Sequence, residues 1–361
     1  MQRLQNTYQS NKITAHEKGF LLSSETELLL DSKENIDAAF LQQLANKCAP
    51  ILHFHSDEEH KIVSVEWYLK KILLRADKKQ SLNRFNLLNA PFSTNNNYHL
   101  KQFATGFLKN SKAHGAKPKC YVNIKDVDLC SIDIQYWFLF SGKSGSTANI
   151  KWLLEGITGH MGKLNLDPIG CQGGHWERIT VRVSKDNFLP TQVFLPNSKG
   201  GEWHAFDKME KEALQPLVFV SKNNHFLYAS KGLKLIEFLK FRVFSSALEF
   251  SLFDECAEGQ QLNLNASIEI ISSDFIDKSK GIAPDWLFYQ GNWGNPNPNY
   301  LNVSKIHDII KEAFGSNFSF LLGSSVLEKL STFLIQYYSK DCKCKAQGPQ
   351  QKKCWQGEEL A

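Results

Sequence analysis

The stretch Gly170–Val183 contains the residues with the clearest potential for chemistry. It places His175 and Glu177 two positions apart, directly after two glycines. Side chains at that spacing in a β-strand point to the same face, so an imidazole and a carboxylate would lie side by side. Burying a carboxylate costs several kcal/mol unless it is paired, protonated or bound to a cation. The pair therefore indicates a candidate site for acid–base chemistry or cation binding.

The residues after Glu177 predict which side of the strand the pair occupies. Apolar and polar residues alternate there, which is typical of a strand with one face toward the core. The apolar set that shares a face with His175 and Glu177 is Ile179, Val181 and Val183, and the opposite set is Arg178, Thr180 and Arg182. The pair is equally satisfied without a ligand, as a neutral histidine bonded to Glu177 or with Glu177 paired to an arginine. Both interpretations stay open.

Three further residues are candidates to complete a ligand cluster: His160, His225 and Asp254. None is specific alone, because a single histidine is more often a surface residue or a satisfied core residue. Only convergence in space would make them ligands. Oxygen donors with some imidazole suit Mg, Ca or Mn better than structural zinc. We therefore expect any cofactor to be a divalent cation, Mg or Ca.

The aromatic stretch Pro284–Pro296 is a second candidate binding region. Its tryptophans Trp286 and Trp293, together with Trp176, could stack on sugar rings or enter a bilayer interface. Aromatic residues between Gly and Pro also commonly close the end of a β-sandwich, and this alternative is favoured over a binding surface. The sequence contains no Walker-type loop, dinucleotide-binding glycine pattern, H-E-x-x-H helix or G-x-S-x-G elbow.

The composition of the chain argues against several classes of function. The formal net charge is +5, from 42 Lys and Arg against 37 Asp and Glu, which disfavours a nucleic-acid binder. No stretch reaches the roughly 18 apolar residues of a spanning helix, and the N-terminus does not resemble a secretory signal. The eight scattered cysteines favour reduced thiols. A soft-metal site at Cys342, Cys344 and Cys354 is disfavoured, because these residues lie in a Lys-rich tail.

The elements that would position these candidate residues begin, in the N-terminal part of the chain, with helices. Residues 1–47 are expected to be a helical lead-in, in which the first ~30 polar residues are partly ordered. One short helix is predicted after them, because Ile36, Phe40 and Leu44 repeat at helical spacing. A second helix is predicted from the cap Ser64 through Leu73. The polar residues 78–118 are typical of a long surface excursion.

Strands are predicted over most of the remaining chain. They recur at short intervals without long helical crossovers, which indicates an antiparallel β-sandwich over residues 48–300. Periodic apolar residues near Leu330 predict a helical extension over 301–340, and residues 341–361 are expected to be a flexible tail. The predicted strands are Ile132–Phe140, Glu177–Val183, Gln192–Leu195, Leu217–Val220, Ala247–Phe250 and Ser267–Ile271.

Six short motifs in a fixed order resemble the vacuolar protein sorting-associated protein 62 family. They are Ala49–Glu58, Val63–Leu69, Asp133–Phe138, Trp176–Arg182, Pro216–Val220 leading to His225, and Gly291–Pro296. The family reads Gly-Asp-Trp-Glu-His at the central motif, so Glu177 carries over, while His175 and Arg178 replace the expected Asp and His. The motif is also similar to the His-Asp-Trp-Glu core of necrosis-inducing cytolysins, whose β-sandwich holds a divalent cation beside a membrane-contact surface.

The resemblance implies a link to vacuolar or endolysosomal trafficking and a cytoplasmic or endomembrane-peripheral location. We expect a non-enzymatic binding module that contacts a membrane surface or glycan through loops at the Glu177 end of the sandwich. One alternative is a cation-dependent hydrolase in which Glu177 is base or ligand and His175 assists proton transfer. Others are a scaffold that recruits a protein partner through its helical ends, and a bacterial effector.

Overall fold

The computed structural model describes twelve ranges of the chain: 37–76, 98–102, 115–143, 149–154, 172–197, 200–222, 224–243, 246–276, 282–294, 328–329, 331–332 and 347–357. The chain divides into two compact units, Met1–Gln43 and Leu44–Ala361. The described part of the first unit, 37–43, includes the beginning of a helix. The second unit contains all of the β-structure discussed below.

Two α-helices with defined bounds lie in the described ranges, α1 (Ala38–Lys47) and α2 (Val65–Lys70), in addition to the helical residues 328, 329, 331 and 332. Ser64 caps α2 as predicted, because its hydroxyl accepts a hydrogen bond from the backbone N–H of Trp67 at 3.1 Å. The helix ends at Lys70, earlier than predicted. The N–H of Lys71 donates a hydrogen bond to the carbonyl of Tyr68 and so caps the last turn. The apolar residues that follow form a strand instead, because they pair with a strand at residues 98–102. None of the described helices is long and apolar enough to cross a membrane.

Seventeen strands are described, and each predicted strand is among them with adjusted bounds. They are β1 (Ile51–Phe54), β2 (Ile62–Val63), β3 (Ile72–Ala76), β4 (Tyr98–Gln102), β5 (Cys120–Asp126), β6 (Ser131–Lys143), β7 (Asn149–Leu154), β8 (Gln172–Ser184), β9 (Pro190–Leu195), β10 (Glu202–Ala205), β11 (Lys211–Glu212), β12 (Gln215–Val220), β13 (Leu227–Tyr228), β14 (Gly232–Val243), β15 (Ser246–Cys256), β16 (Gln261–Asn263) and β17 (Ile268–Ser273). Short 3-10 turns lie at Phe206–Lys208, Leu264–Ser267, Asp285–Phe288, Pro349–Gln351 and Lys353–Gln356.

The chain is mainly β, and its sheets are mixed. The largest sheet has the order β10-β9-β8-β6-β5-β17, with β2 on β6, and the second has the order β11-β12-β1-β16, with β13 on β12. β14, β15 and β7 form a three-stranded sheet, and β3 and β4 a two-stranded one. β1 runs parallel to β12 and β17 runs parallel to β5, so the prediction of purely antiparallel sheets is wrong. Residue alternation predicts which face a side chain occupies but not the direction of a partner strand.

The central strands β6 and β8 have buried side chains on both faces. Directly opposed residues of an antiparallel pair share a face, and the register places Phe140 opposite His175 and Phe138 opposite Glu177. That face meets the second sheet, where the ring of Phe54 lies 6.1 Å from the ring of Phe140. The other face carries an aromatic cluster, formed by Tyr68, Tyr121, Trp137, Trp176, Trp286, Tyr289, Trp293 and Trp355.

The end of the chain packs onto this aromatic cluster. Trp355 is only 6% exposed, and the side-chain amide of Gln135 donates a hydrogen bond to the carbonyl of Cys354 at 2.7 Å. Residues 347–357, here called the C-terminal strap, are therefore packed on the sheet rather than detached as the flexible tail that was predicted. Of the predicted helical extension over 301–340, the structure describes residues 328, 329, 331 and 332, which are helical, and the rest lies outside the described residues.

Candidate functional site

The start of β8 is held by close backbone packing. Gly174 has φ +60°, and a side chain there would collide with the carbonyl of Trp293 and the ring of Tyr68. A side chain at Gly294 would collide with the backbone of Gly173. The two glycine-containing motifs therefore need glycine in order to approach each other. Their contact fixes where β8 begins and so where His175 lies.

His175 and Glu177 lie together on the face of β8 toward the second sheet, as predicted. His175 Nε2 is 2.6 Å from Glu177 Oε1. The two side chains are 17% and 9% exposed, so His175 is the member that reaches solvent. This geometry is that of a short, charge-assisted hydrogen bond rather than two independent polar groups.

The protonation of the pair follows from its surroundings. Burial lowers the pKa of His175 to about 4, although the nearby Glu177 carboxylate acts in the opposite direction. Burial acts to raise the pKa of Glu177, but the hydrogen bond and charge from His175, together with Lys352 and Lys143, outweigh it and hold that pKa below its ordinary value. At neutral pH the pair is a neutral imidazole that donates its Nε2 proton to an ionised carboxylate.

A second acid and imidazole pair lies beside the first. Glu58 Oε1 is 3.2 Å from His225 Nε2, and both side chains are almost fully buried. The ring centroids of His225 and His175 are 5.8 Å apart. Among the described residues neither ring nitrogen of His225 has a hydrogen-bond partner, although Glu58 Oε1 lies 3.2 Å from Nε2. Glu58, His175, Glu177 and His225 are called the His–Glu cluster below.

The backbone at His225 has a left-handed conformation, with φ +62°. Such a conformation is costly for a residue with a side chain and persists only where the surroundings hold it. Asp254 provides this support, because its carboxylate accepts hydrogen bonds from Asn224 Nδ2 at 2.8 Å and from the Tyr228 hydroxyl at 2.7 Å. Asp254 was predicted to be a metal ligand, but in this structure it anchors the turn that carries His225.

The cluster resembles a cation site in composition but not in its present geometry. Among the described residues, no group of three or more His, Cys, Asp or Glu side chains is arranged to hold a metal ion. His160 lies outside the described residues. Two imidazoles and two carboxylates are nevertheless donors that divalent metals accept. Because a cation and a proton compete for the same lone pairs, an ion would have to replace the proton shared by His175 and Glu177.

The three tryptophans predicted as a binding surface are buried core residues. Trp176, Trp286 and Trp293 are 1%, 5% and 1% exposed. Their rings lie 5.2 to 5.9 Å apart, and the Tyr68 hydroxyl donates a hydrogen bond to the carbonyl of Trp293 at 2.6 Å. Large aromatic side chains bury enough apolar area to favour this packing over exposure. The arrangement fits the alternative in which they close one end of the fold.

Sequence reasoning missed two residues of the site, Glu58 and Lys352. The motif Ala49–Glu58 was recognised without a role for its last residue. The missing information was that β1 and β12 are parallel. Parallel neighbours end at the same edge of a sheet, so the residues after each strand, Glu58 and His225, meet there. Lys352 could not be placed because residues so far apart in sequence give no local signal of contact.

Known proteins indicate the family of this chain but give little information about the His–Glu cluster. The family model described as vacuolar protein sorting-associated protein 62 matches residues 11–359. No curated protein matches the chain significantly. Among solved structures, the chain is similar to Necrosis and Ethylene inducing Protein 2 from the causal agent of cocoa's Witches Broom disease. The identity is 15% over 68% of this chain and 76% of that chain, with a TM-score of 0.28, which is too low to support an inference.

Proposed function

Because the chain belongs to the vacuolar protein sorting-associated protein 62 family, we propose that it is a non-enzymatic binding module linked to membrane trafficking. In this proposal the two larger sheets are the layers of a sandwich, and the His–Glu cluster between them is the ligand site. The module contacts a membrane surface or glycan at the end of the sandwich where β8 begins. It acts in the cytoplasm or at the periphery of endomembranes.

The observation that carries the proposal is the meeting of two acid and imidazole pairs in one buried place. Buried polar groups are normally satisfied by hydrogen bonds, so each exception needs an explanation. Here both ring nitrogens of His225 lack a hydrogen-bond partner, in a turn whose strained backbone is held by Asp254. If His225 served only to pack on Phe140, an apolar residue would fill its place without the free-energy cost of burying polar groups that have no hydrogen-bond partner.

We propose further that the ligand of the cluster is a divalent cation. Glu177, His175 and His225 supply the donors, and the cation would link the module to phosphate or hydroxyl groups of a membrane or glycan. The solvent-reaching edge of His175 gives the route of entry. The candidate ions are Mg, Ca and Mn, because imidazole donors suit softer ions than oxygen donors alone.

The test is a calorimetric titration of Mg²⁺, Ca²⁺ and Mn²⁺ into the full chain, its Glu177→Gln variant and a Glu212→Gln control on the exposed strand β11. We expect binding of at least one ion by the native chain and by Glu212→Gln, and a loss of about tenfold or more in Glu177→Gln. Absence of binding by the native chain, or equal binding by all three, would refute the cation site.

Surface binding is tested separately. Vesicles containing anionic lipids and a glycan array should retain the native chain, and a chelator should release it. Trp286→Phe keeps the aromatic packing and should bind normally, whereas Glu177→Gln should not. Retention that survives both chelator and Glu177→Gln would place the contact elsewhere.

The second candidate function is a cation-dependent hydrolase. It is favoured by one observation, the neutral imidazole of His175 beside an ionised Glu177, since this is the protonation state of a general base. Turnover of ester or phosphoester probes that is lost both with a chelator and in His175→Gln would support it. An array of such probes that the metal-loaded native chain leaves intact would eliminate it.

A further inference from the structure

The C-terminal strap forms its own local turns and contacts the rest of the chain along most of its length. The N–H of Gln351 donates a hydrogen bond to the carbonyl of Gly348 at 3.1 Å, and the N–H of Trp355 donates one to the carbonyl of Lys352 at 2.9 Å. Its contacts with the sheet begin at Gly348 and end at Trp355. The strap pairs backbone groups within itself and docks through side chains and carbonyls, as a bound peptide does.

The largest sheet presents two amide donors to the strap. Gln135 is fully buried, and its Oε1 accepts hydrogen bonds from Asn123 Nδ2 at 3.0 Å and from Trp137 Nε1 at 3.2 Å. Because the sheet occupies that oxygen, the orientation of the Gln135 amide is fixed independently of the strap. Gln135 and Asn123 donate to two consecutive carbonyls of the strap, those of Cys354 at 2.7 Å and Trp355 at 3.3 Å. The ring of Trp355 also lies 5.7 Å from that of Trp137.

Two further contacts depend on which residues the strap carries. Lys352 Nζ donates a hydrogen bond to the carbonyl of Trp176 at 2.5 Å. Gly348 lies on the indole of Trp293, where any side chain would collide with Nε1, and Trp293 is 1% exposed and packed in the aromatic cluster. The contacts therefore favour a glycine, a lysine and a tryptophan at the spacing of the strap. The residues that receive it are called the strap site: Asn123, Gln135, Trp137, Trp176 and Trp293.

The length of the connection does not confine the strap to its own copy of the chain. Residues 295–346 connect Gly294 to the strap, and a segment of that length can span at most on the order of 170 Å. None of the contacts described above involves a residue of this connection. An identical strap on a second copy would therefore make the same contacts, which is the low-cost route to exchanged dimers.

We propose that the strap site is an interaction surface between copies of this chain. The strap of one copy docks on the strap site of the second, and the strap of the second docks on the first. The exchanged and unexchanged arrangements have the same contacts, so protein concentration sets their balance. A tethered strap competes at an effective concentration of up to about a millimolar, so native copies exchange straps where they are concentrated to a similar degree. The exchange needs neither a cation nor the His–Glu cluster.

The test divides the contact between two full-length variants. Gln135→Leu removes a donor from the strap site and keeps a native strap, whereas Gly348→Val makes the strap collide with Trp293 and keeps a native site. Each variant has lost its own internal contact, so a mixture at micromolar concentrations should form a 1:1 complex in analytical ultracentrifugation, while each alone stays monomeric. Gly348→Val mixed with the chain that carries both substitutions should stay monomeric. Two folded single variants that form no complex would overturn the proposal.

A peptide titration keeps the proposal testable if Gln135→Leu does not fold. A fluorescent peptide of residues 347–357 stands for the strap of a second copy. It should bind the Gly348→Val chain at least tenfold more tightly than the native chain, whose site is occupied. Trp355→Ala in the peptide should weaken binding by about tenfold or more, whereas Lys353→Gln should not change it, because Lys353 is exposed. Equal binding of the three peptides, or no binding of any, would contradict a specific strap site.

A third measurement needs no variant. Exchange between copies requires the strap to leave its site while the sheets stay folded. In the native full chain, amide hydrogen exchange at residues 347–357 should therefore be at least tenfold faster than at residues 134–140 of the central strand β6. Strap amides that exchange only as fast as those of β6 would show that the strap is released by global unfolding alone, and strap exchange would be excluded.

Discussion

The imidazole of His225 lies flat on the ring of Phe140, with ring centroids 3.8 Å apart and ring planes 6° apart. The same phenyl ring is 6.4 Å from His175. Phe140 belongs to the largest sheet, whereas His225 follows the second sheet, so this contact joins the two layers. It also sets the spacing between the two imidazoles of the His–Glu cluster.

Removal of the Phe140 ring should lower the stability of the fold. Phe140→Ala deletes a fully buried ring and should lower the free energy of unfolding by about 3 to 5 kcal/mol. The matched control is Leu129→Ala, since Leu129 is 96% exposed and its change should stay within about 0.5 kcal/mol. Urea unfolding followed by fluorescence measures both. Similar losses in the two variants would show that Phe140 does not contribute as described.

Acid should destabilise the fold through His175. Its folded-state pKa of about 4 lies below the ordinary value of 6.5, so between these pH values the unfolded chain binds a proton that the folded chain does not. Stability is therefore fully present above about pH 6.5 and falls as the pH drops toward 4, by up to about 3 kcal/mol. The lowered pKa of Glu177 acts in the same direction at lower pH.

The contribution of His175 can be isolated by denaturant unfolding at pH 7 and pH 5. His175→Gln should lose less stability between these pH values than the native chain does. His204→Gln on β10, outside the cluster, should keep the native dependence. A His175→Gln variant with the full native dependence would mean that other groups cause the acid sensitivity.

Gly174 should not tolerate a side chain. Gly174→Ala introduces both a left-handed backbone strain and a collision with Trp293 and Tyr68, so a loss of about 3 kcal/mol or more is expected. Gly232→Ala is the control for backbone strain alone, because its φ is +106° with nothing within 4 Å of the added carbon. The difference in thermal midpoint between the two variants measures the packing contribution. A Gly232→Ala variant at least as unstable as Gly174→Ala would contradict the tight approach.

Asp254 should act as an anchor rather than a ligand. Asp254→Ala leaves the Asn224 amide and the Tyr228 hydroxyl without their acceptor, at about 1 to 3 kcal/mol for each group. Hydrogen exchange at residues 221, 222 and 224–226 should rise. Asp254→Asn keeps one acceptor oxygen and should retain more of the turn's protection than Asp254→Ala. A Mn²⁺ affinity lost in Asp254→Asn with the turn still protected would restore Asp254 as a ligand.

The sequence predicted features that depend on local chemistry. Alternation located β6 and β8, and it placed His175 and Glu177 on one face, because side-chain direction in a strand is a local property. The cap at Ser64 was predicted for the same reason. The early end of α2 was not, because the apolar residues after it satisfy a helical repeat and a strand alike, and the choice is made by pairing with β4.

The features that the sequence did not predict are set by distant contacts. The parallel pairs β1–β12 and β5–β17, the place of Glu58 and the docking of the strap all join segments far apart in the chain. The tryptophans illustrate a different limit. Their types fit a binding surface and a core equally well, and only the surrounding packing distinguishes the two.

The strand β1 pairs only with strands that follow much later in the sequence, and this affects the chain during its synthesis. Its two neighbours are β12 and β16, paired through Leu217 and Asn263 with Ile51. During synthesis at about 5 to 20 residues per second, β1 leaves the ribosome on the order of ten seconds before β12 exists. Over that time the apolar segment Ile51–Phe54 has both edges open to other chains, which is a recognised hazard for aggregation. Chains that stop before residue 215 should therefore accumulate as insoluble material or bound to chaperones.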